Sequence, residues 1–400
     1  IEILGILLAF SLYPYIYSVS RISFSLFGSR YYDMAKNLGL NAYQTILKVV
    51  LPLSRPAILS GLFLVVMEVL NEYGAVKYFG VNTYTIGIFR SWNSMNDIGA
   101  AIQLSSILLF IVAFLFFVEK YFNQNKRFSF SKNTQLASLI RPNNSMKFLI
   151  YVICLIPIIL AFLIPVLFNL INIFSSYDLI NFERLLNLTF NSFTVSLIAS
   201  VLILIVSTFF LYNEKISKSK VYYYINQFIS LGYSIPGAVV ALAVVISVTS
   251  LDNIDDNIKL LGSFSVYFLI LIYAYIIRFM AVGKSPIKSS MEKYPDSYNS
   301  SAKNLGLSNF KIFQKIYFPI NKYAFFTALT LVFVDIMKEL PITLILRPFN
   351  FDTLATQTYE FAIEEMIPLS SIYSSVIIII CCILLIFLKM FLDKSNVFRN

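Results

Sequence analysis

The sequence has little charge for its length. Asp, Glu, Lys and Arg together make up 13% of the 400 residues, whereas 58% are hydrophobic. An ordinary soluble domain carries about 25% charged residues, and this chain has too little polar surface to cover two or three such domains. The shortage of charge therefore excludes a soluble globular protein. It predicts an all-α polytopic membrane protein, because helices satisfy their own backbone hydrogen bonds in lipid.

Histidine is absent and cysteine is scarce. Without His, a Ser-His-Asp triad and histidine metal ligation are excluded. The three cysteines, Cys154, Cys381 and Cys382, lie in apolar runs without metal-ligand spacing or a disulfide framework. We therefore expect no catalytic residue, no metal site and no cofactor bound by this chain, which is then not an enzyme.

One short motif resembles part of a nucleotide-binding site but lacks a residue that such a site requires. Gly283-Lys284-Ser285 ends like a phosphate-binding loop, but Arg278 stands where that motif requires its first glycine. The motif also follows an apolar span rather than a soluble strand. Any ATP hydrolysis is therefore expected to come from another polypeptide.

Nine apolar stretches are long enough to cross the hydrocarbon core, which takes about 20 residues. They lie at about 1–19, 57–78, 100–118, 148–170, 189–211, 225–250, 262–282, 323–346 and 370–392. If they alternate in direction, 24 of the 31 Lys and Arg residues lie on one side, in the segments 20–55, 119–147, 212–220, 283–322 and 389–400. Positive charge stays in the cytoplasm, so we predict a multi-pass inner (plasma) membrane protein. The net charge of +10 is then a topology signal and not a sign of nucleic-acid binding.

An internal repeat lies in two of these basic segments. Ala35–Leu40 recurs as Ala302–Leu307 at an offset of 267, and 13 of 38 positions are identical between 35–72 and 302–339. Both copies lie on the predicted cytoplasmic side, so they have the same orientation, which is a parallel repeat. We therefore predict two homologous transmembrane helical bundles.

The repeat also predicts a division of the chain. We expect a first bundle at 1–122, a cytoplasmic linker at 123–147, a second bundle at 148–392 and a tail at 393–400. Four predicted spans precede the repeated segment in the second bundle, whereas one precedes it in the first. About three spans and the true N-terminus are therefore expected to be missing from a chain that begins with Ile.

Each copy of the repeat contains a segment that is typical of a helix, a turn and a second helix. We name residues 31–52 coupling segment 1 and residues 298–319 coupling segment 2. In segment 1 Tyr31–Leu38 is compatible with a helix, Gly39 can form a left-handed C-cap, and Pro52 is expected to end the second helix. Gly306 and Pro319 repeat this pattern in segment 2. Such a segment is too apolar to lie bare in water, so we expect it to dock on a cytoplasmic partner; amphipathic helices on the membrane surface are the alternative.

The spacing in both segments resembles the E-A-A-x3-G-x9-I-x-L-P loop of permease subunits in binding-protein-dependent ABC importers. The matching positions are Asp33, Ala35, Gly39, Val49, Leu51 and Pro52 in segment 1, and Ala302, Gly306, Ile316, Phe318 and Pro319 in segment 2. In that family the loop forms coupling helices in a cleft of the ATPase subunit. Segment 2 has Ser300 where segment 1 has the leading acid, so the resemblance implies no carboxylate role there.

Three further stretches indicate which group of these permeases the chain resembles. Glu68–Trp92, Tyr233–Val240 and Asp335–Thr356 look like the fused, two-copy permeases of ferric-iron importers. The resemblance implies ferric-iron import by alternating access, with two ATPase copies at the coupling segments, ATP and magnesium on those copies, and an extracytoplasmic substrate-binding protein. Thiamine or another small solute is the alternative cargo. A passive channel is the alternative class, although a channel needs no docking loops.

Four acids near the ends of two spans are candidates for a translocation path. Glu68 and Glu72 are spaced i, i+4, and the offset of 267 matches them with Asp335 and Glu339. We expect each pair to share one helix face. A carboxylate at the bilayer centre is unfavourable by about 2.5–3.5 kcal/mol, so it usually faces a protein interior or an aqueous path, and acids there would favour a cationic cargo. The alternative is a set of interfacial acids paired with neighbouring lysines such as Lys338.

Overall fold

The structure is a computed structural model, which describes residues 1–124, 143–217, 219–252, 264–295 and 297–397. All the regular elements in these ranges are helices. They are α1 Glu2–Asn37, α2 Ala42–Thr45, α3 Leu51–Asn71, α4 Gly74–Tyr78, α5 Tyr84–Phe89, α6 Ile98–Gln124, α7 Asn144–Ile158, α8 Ile164–Ser175, α9 Phe182–Ser217, α10 Lys220–Ile229, α11 Gly237–Asp252, α12 Phe264–Met291, α13 Ser297–Asn304, α14 Asn309–Ile312, α15 Phe318–Met337, α16 Pro341–Leu346, α17 Leu354–Ile363 and α18 Ile367–Val397. Most of the predicted linker, residues 125–142, and the end of the predicted tail lie outside the described residues.

Eight helical segments in the described part of the chain are long and apolar enough to cross a membrane. They are Glu2–Phe24, Tyr43–Asn71, Ile98–Glu119, Asn144–Ser175, Phe182–Ser217, Phe264–Met291, Asn309–Met337 and Ile367–Asp393. Each overlaps one predicted span, and the bent pair α10–α11 overlaps the ninth. The all-α polytopic class and the approximate number of spans are therefore confirmed.

The predicted span at 225–250 is not a single helix. Helices α10 and α11 meet at an angle of 114°. The tight turn Gly232–Ser234 and then Pro236 lie between them, and Pro236 has no amide hydrogen to continue a helix. The segment therefore consists of two helices that run in different directions.

The expected helix ends at Pro52 and Pro319 are also wrong. In each copy a π turn, Ile46–Val50 or Phe313–Tyr317, connects the short helix to the long one, and the proline lies in the first turn of the long helix. Proline is tolerated in a first turn because the amide it lacks has no obligatory partner there. The second helix of each coupling segment is therefore continuous with a membrane span.

The far ends of these two spans come earlier than predicted. Helix α3 ends at Asn71 and α15 ends at Met337, and the short helices α4 and α16 follow after a break of a few residues. The predicted spans 57–78 and 323–346 therefore each combine a long helix with a short one. The short helices begin at positions that match at the offset of 267, Gly74 and Pro341, and the other bounds around the breaks agree with this offset to within one residue.

The structure falls into two compact units, Ile1–Phe168 and Asn169–Asn400. In the first, α1 packs along α3, and α6 packs on α3 and α5. Gly61 allows the contact between α1 and α3, because a Cβ at this position would lie 2.8 Å from the Cα of Ile16. Close backbone approach through small residues is the usual way in which helices associate in lipid.

The second unit is built around α9, α12 and α15, which all pack on one another. Small residues with no exposed surface lie at their contacts, namely Ala199, Ala274 and Ala328. Helix α16 packs on α11 and α12, and α17 packs on α18. This core carries coupling segment 2 at one end and the break between α15 and α16 at the other.

Candidate coupling and translocation sites

The two coupling segments make the same turn. In each, the amide after the glycine donates to a carbonyl five residues earlier, and the glycine amide donates to a carbonyl three residues earlier. These bonds join Leu40 to Ala35 and Gly39 to Lys36, and Leu307 to Ala302 and Gly306 to Lys303, at 2.9–3.2 Å. The pattern is a Schellman C-cap, which needs a left-handed residue. Gly39 and Gly306 have φ of +80° and +75°, as expected from the sequence.

A buried alanine supports each turn. Ala35 and Ala302 are both 2% exposed. In segment 2 this side chain belongs to an apolar cluster with Ile287, Ile312 and Phe325. A larger residue would push the turn away from the helices that carry it, since protein interiors have little free volume.

Large apolar side chains project from both turns at matched positions. Leu38 is 82% exposed and Leu305 is 81% exposed. The next matched pair, Tyr43 and Phe310, is 71% and 68% exposed. We name these two pairs, Leu38 with Tyr43 and Leu305 with Phe310, the apolar tips. Exposed apolar side chains at matched positions of both copies make these turns candidates for an interaction surface.

The residues after each turn are held by a capping side chain at another matched position. The Asn41 carboxamide oxygen accepts from the amide of Gln44 at 2.8 Å, and the Ser308 hydroxyl accepts from the amide of Lys311 at 3.4 Å. Both caps satisfy amides that have no partner within the helix. Leu51 is exposed and Ile316 is half-buried. Asp33 lies in α1, and its side chain is outside the described residues.

Segment 2 is tied to the core by the end of α9. The Tyr212 hydroxyl donates to the carbonyl of Asn309 at 2.5 Å. The Lys215 ammonium group donates to the carbonyl of Tyr294 at 3.0 Å and lies 3.5 Å from that of Met291. A cation at the end of α12 is favourable because helix C-termini carry partial negative charge. These contacts fix where the segment leaves the bundle.

At the other end of the spans, the side chains of Glu72 and Glu339 accept equivalent hydrogen bonds from the backbone. Each carboxylate accepts from an amide three residues ahead, that of Ala75 at 3.0 Å and that of Ile342 at 3.1 Å. Each acid therefore caps the short helix that follows the break, α4 or α16. Capping gives a structural reason for an acid at both positions.

The expectation that each acid pair shares a helix face is wrong. Glu68 and Asp335 lie inside α3 and α15, whereas Glu72 and Glu339 come after those helices have ended. Asp335 pairs with Lys338 at 3.0 Å, and Glu68 is half-buried. Among the described residues, no three His, Cys, Asp or Glu side chains are grouped as metal ligands would be.

The two capping acids differ in their charge partners. Glu339 is 6% exposed and its carboxylate lies 3.2 Å from the guanidinium of Arg278 on α12, which is itself 4% exposed. The offset of 267 places Ser11 at the matched position of α1, and its hydroxyl donates to the carbonyl of Leu7 in its own helix. A buried charge pair is therefore present in the second copy only, within the described residues.

The role of Arg278 as the partner of Glu339 was not among the predictions from the sequence. A cation in the middle of an apolar run is itself a signal, because such residues usually pair with another charge or line an aqueous path. The pair also explains a motif in Tyr233–Val240. A Cβ on Gly237 would lie 2.9 Å from the Glu339 carboxylate and would also meet the Arg278 guanidinium, so only glycine fits where α11 starts.

Together these features define a class of membrane protein. The chain is a helical, multi-pass membrane protein with two exposed turns of the same geometry, each followed by a helix that continues into a membrane span. Such turns suit a transporter that receives its energy from a partner in the cytoplasm.

Comparison with known proteins identifies the family. Residues 2–128 and 215–396 match the family described as binding-protein-dependent transport system inner membrane component, and the chain belongs to this family. It is therefore an inner-membrane permease subunit of an importer that works with a substrate-binding protein and an ATPase. It is also similar to the Fe(3+)-transport system permease protein FbpB 2 of Haemophilus influenzae, with 23% identity over 367 residues, which cover 90% of this chain and 71% of that protein.

Proposed function

We propose that this permease subunit imports ferric iron by alternating access, driven by two copies of an ATPase subunit. The observation that carries the coupling part is the pair of apolar tips, which have the same turn, the same exposure and the same residue classes in both copies. Two equivalent tips suit two equivalent clefts. ATP and magnesium would bind to the ATPase copies, and this chain would contribute no catalytic residue to hydrolysis.

The proposal that the cargo is ferric iron rests on similarity to a known permease and on the charge of the candidate path residues. The relative from Haemophilus influenzae is named for Fe(3+) transport, and the stretches Glu68–Trp92 and Asp335–Thr356 contain the candidate path acids. A carboxylate near the outer end of a span attracts cations and disfavours anionic solutes. We propose that Glu68, Glu72, Asp335 and Glu339 contribute to that field, and that the charge of Glu339 is balanced locally by Arg278.

The test is uptake by cells that express this chain together with its ATPase and binding protein. We expect accumulation of radioactive ferric iron that stops when the ATPase carries a substitution in its own ATP site. Uptake that continues without ATP hydrolysis would indicate a passive channel. ATP-dependent uptake of labelled thiamine, without iron uptake, would replace the cargo and leave the coupling proposal in place.

The path proposal has a separate test at Glu72. Glu72→Gln keeps an oxygen that can accept from the Ala75 amide but removes the negative charge, so we expect a several-fold lower rate of iron uptake at equal membrane abundance. ATPase co-purification should remain at the wild-type level. Unchanged uptake would remove Glu72 from the path and leave it as a helix cap alone.

A further inference from the structure

Helix α10, Lys220–Ile229, has three different faces around its axis. At about 100° per residue, Tyr222, Ile225, Asn226 and Ile229 fall on one side, and these are the residues of the helix that are buried or half-buried. The remaining residues lie on two exposed edges. One edge is apolar and the other is polar.

The protein-facing side is anchored by a polar network. The Asn226 carboxamide donates to the Phe210 carbonyl at 3.2 Å and to the Glu214 carboxylate at 2.5 Å, both on α9. The Lys284 ammonium group of α12 donates to the Asn226 carbonyl and to the Ser230 hydroxyl, the latter at 2.6 Å. Lys284 is only 4% exposed. The position of α10 is therefore fixed by hydrogen bonds to two membrane spans.

The apolar edge consists of Val221, Tyr224 and Phe228, which are 63%, 67% and 75% exposed. They fall within about 60° of one another around the helix. The polar edge consists of Lys220, Tyr223 and Gln227, which are also exposed and also fall within about 60°. The centres of the two edges are about 100° apart, so they face different surroundings.

Helix α10 lies beside the end of a membrane span. Helix α9 spans the membrane, where its side chain Ile205 is 58% exposed, and α10 is bonded to Phe210 and Glu214 on another side of α9. Helix α10 follows α9 within three residues and turns away from α11 by 114°. It therefore starts at the end of a span on the basic side of the membrane and does not run parallel to the span that follows.

We infer that α10 lies in the inner-leaflet interface and binds the lipid surface through Val221, Tyr224 and Phe228. Amphipathic helices with aromatic and basic residues at their edges occupy this layer, with the apolar face below the headgroups. Tyrosines are favoured there because the ring is apolar and the hydroxyl is polar. In this arrangement Lys220 and Gln227 face the headgroups and water, and the Lys284 network holds the helix at a fixed depth.

The test uses two neighbouring residues on opposite edges. In a full-length chain with Cys154, Cys381 and Cys382 replaced by Ser, Gln227→Cys and Phe228→Cys each receive a nitroxide label. The protein is reconstituted in vesicles of phosphatidylethanolamine and phosphatidylglycerol. Collision rates with oxygen, which concentrates in lipid, and with a water-soluble nickel complex are then measured. Ile205→Cys on α9 and Leu305→Cys on a coupling turn give the lipid and water references.

We expect the Phe228 label to resemble the Ile205 reference and the Gln227 label to resemble the Leu305 reference, with a several-fold difference in the ratio of the two collision rates. Water-like values at both sites would mean that the helix lies free of the membrane. Lipid-like values at both would mean that it belongs to a span. Low access to both reagents would mean that protein covers the helix. Each of these three results would overturn the inference.

Discussion

The two coupling segments are alike at the turn and different where they join their own bundle. In the first copy α1 runs unbroken from the membrane to the turn, over 36 residues. In the second copy α12 ends at Met291 and the short helix α13 carries the turn. Pro295 occurs at this break, whereas the matched position of the first copy is Gly28, and a residue before proline is disfavoured in a helix. The exposed turn has therefore stayed the same, and the part that joins the turn to its own bundle has diverged.

A second difference concerns the capping acids at the far ends of the spans. Both Glu72 and Glu339 accept a backbone amide in the same way. Only Glu339 has a buried guanidinium opposite it within the described residues. Both glutamates therefore cap a short helix, but only the charge of Glu339 is balanced by a buried cation among the described residues.

The largest effect is expected from breaking the charge pair of the second copy. Arg278→Gln leaves the Glu339 carboxylate buried without its cation, and loss of one partner of a buried pair is destabilising by about 3–5 kcal/mol. We expect a large fall in membrane abundance and in the melting temperature in detergent, measured by size-exclusion chromatography after heating. The charge change in the first copy, Glu72→Gln, should leave both unchanged.

The double variant Arg278→Gln with Glu339→Gln is the control for this prediction. It removes both charges and keeps groups that can hydrogen-bond, so it should recover part of the lost stability. Equal melting temperatures for Arg278→Gln and Glu72→Gln would contradict the proposed difference between the copies.

A smaller effect, equal in both copies, is expected from charging the apolar tips. Leu38→Asp and Leu305→Asp each place a carboxylate where we expect a partner to cover the side chain, and an unpaired buried charge is strongly unfavourable. We expect each variant to reduce ATPase co-purification about tenfold and the double variant to abolish it. The variants Leu38→Met and Leu305→Met keep an apolar side chain of similar volume and should retain the ATPase. Full retention in the double Asp variant would exclude the tips as the docking surface.

The smallest effect is expected at the glycines of the turns. Gly39→Val and Gly306→Val force a β-branched residue into the left-handed region, which is unfavourable by at least about 1–2 kcal/mol. We expect several-fold lower transport with normal membrane insertion, and unequal sensitivity because only segment 1 has the acid Asp33. The matched variants to Asn should keep most of the transport rate, since Asn tolerates this conformation. Equal transport by the Val and Asn variants would show that the turn is not held at positive φ.

Local signals in the sequence were enough to predict the turns. Gly39 and Gly306 each follow a short helical pattern, and the duplication pointed to both at once. The span ends were harder to predict, because apolar residues such as Val69 and Leu70 before the break and Ala75 and Val76 after it make the stretch read as one span. A hydropathy profile does not reveal that a carboxylate such as that of Glu72 caps a new helix, so it does not show that the first helix has ended. The helix ends predicted at Pro52 and Pro319 were wrong because a π turn before each proline lets the helix continue. The partner of Glu339 required tertiary structure, because Arg278 is 61 residues away in the chain.

The continuity of the coupling segment with its span has a mechanical consequence. Tyr43–Asn71 and Asn309–Met337 are each 29 residues long, which corresponds to about 43 Å of helix at about 1.5 Å per residue. Each forms a rod with an apolar tip near the cytoplasmic end and a capping acid at the other end. If such a rod pivots near its cytoplasmic end, a tilt of about 10° displaces the capping acid by about 7 Å. A small movement of the ATPase surface would thus be magnified into a displacement large enough to open or close a passage for an ion.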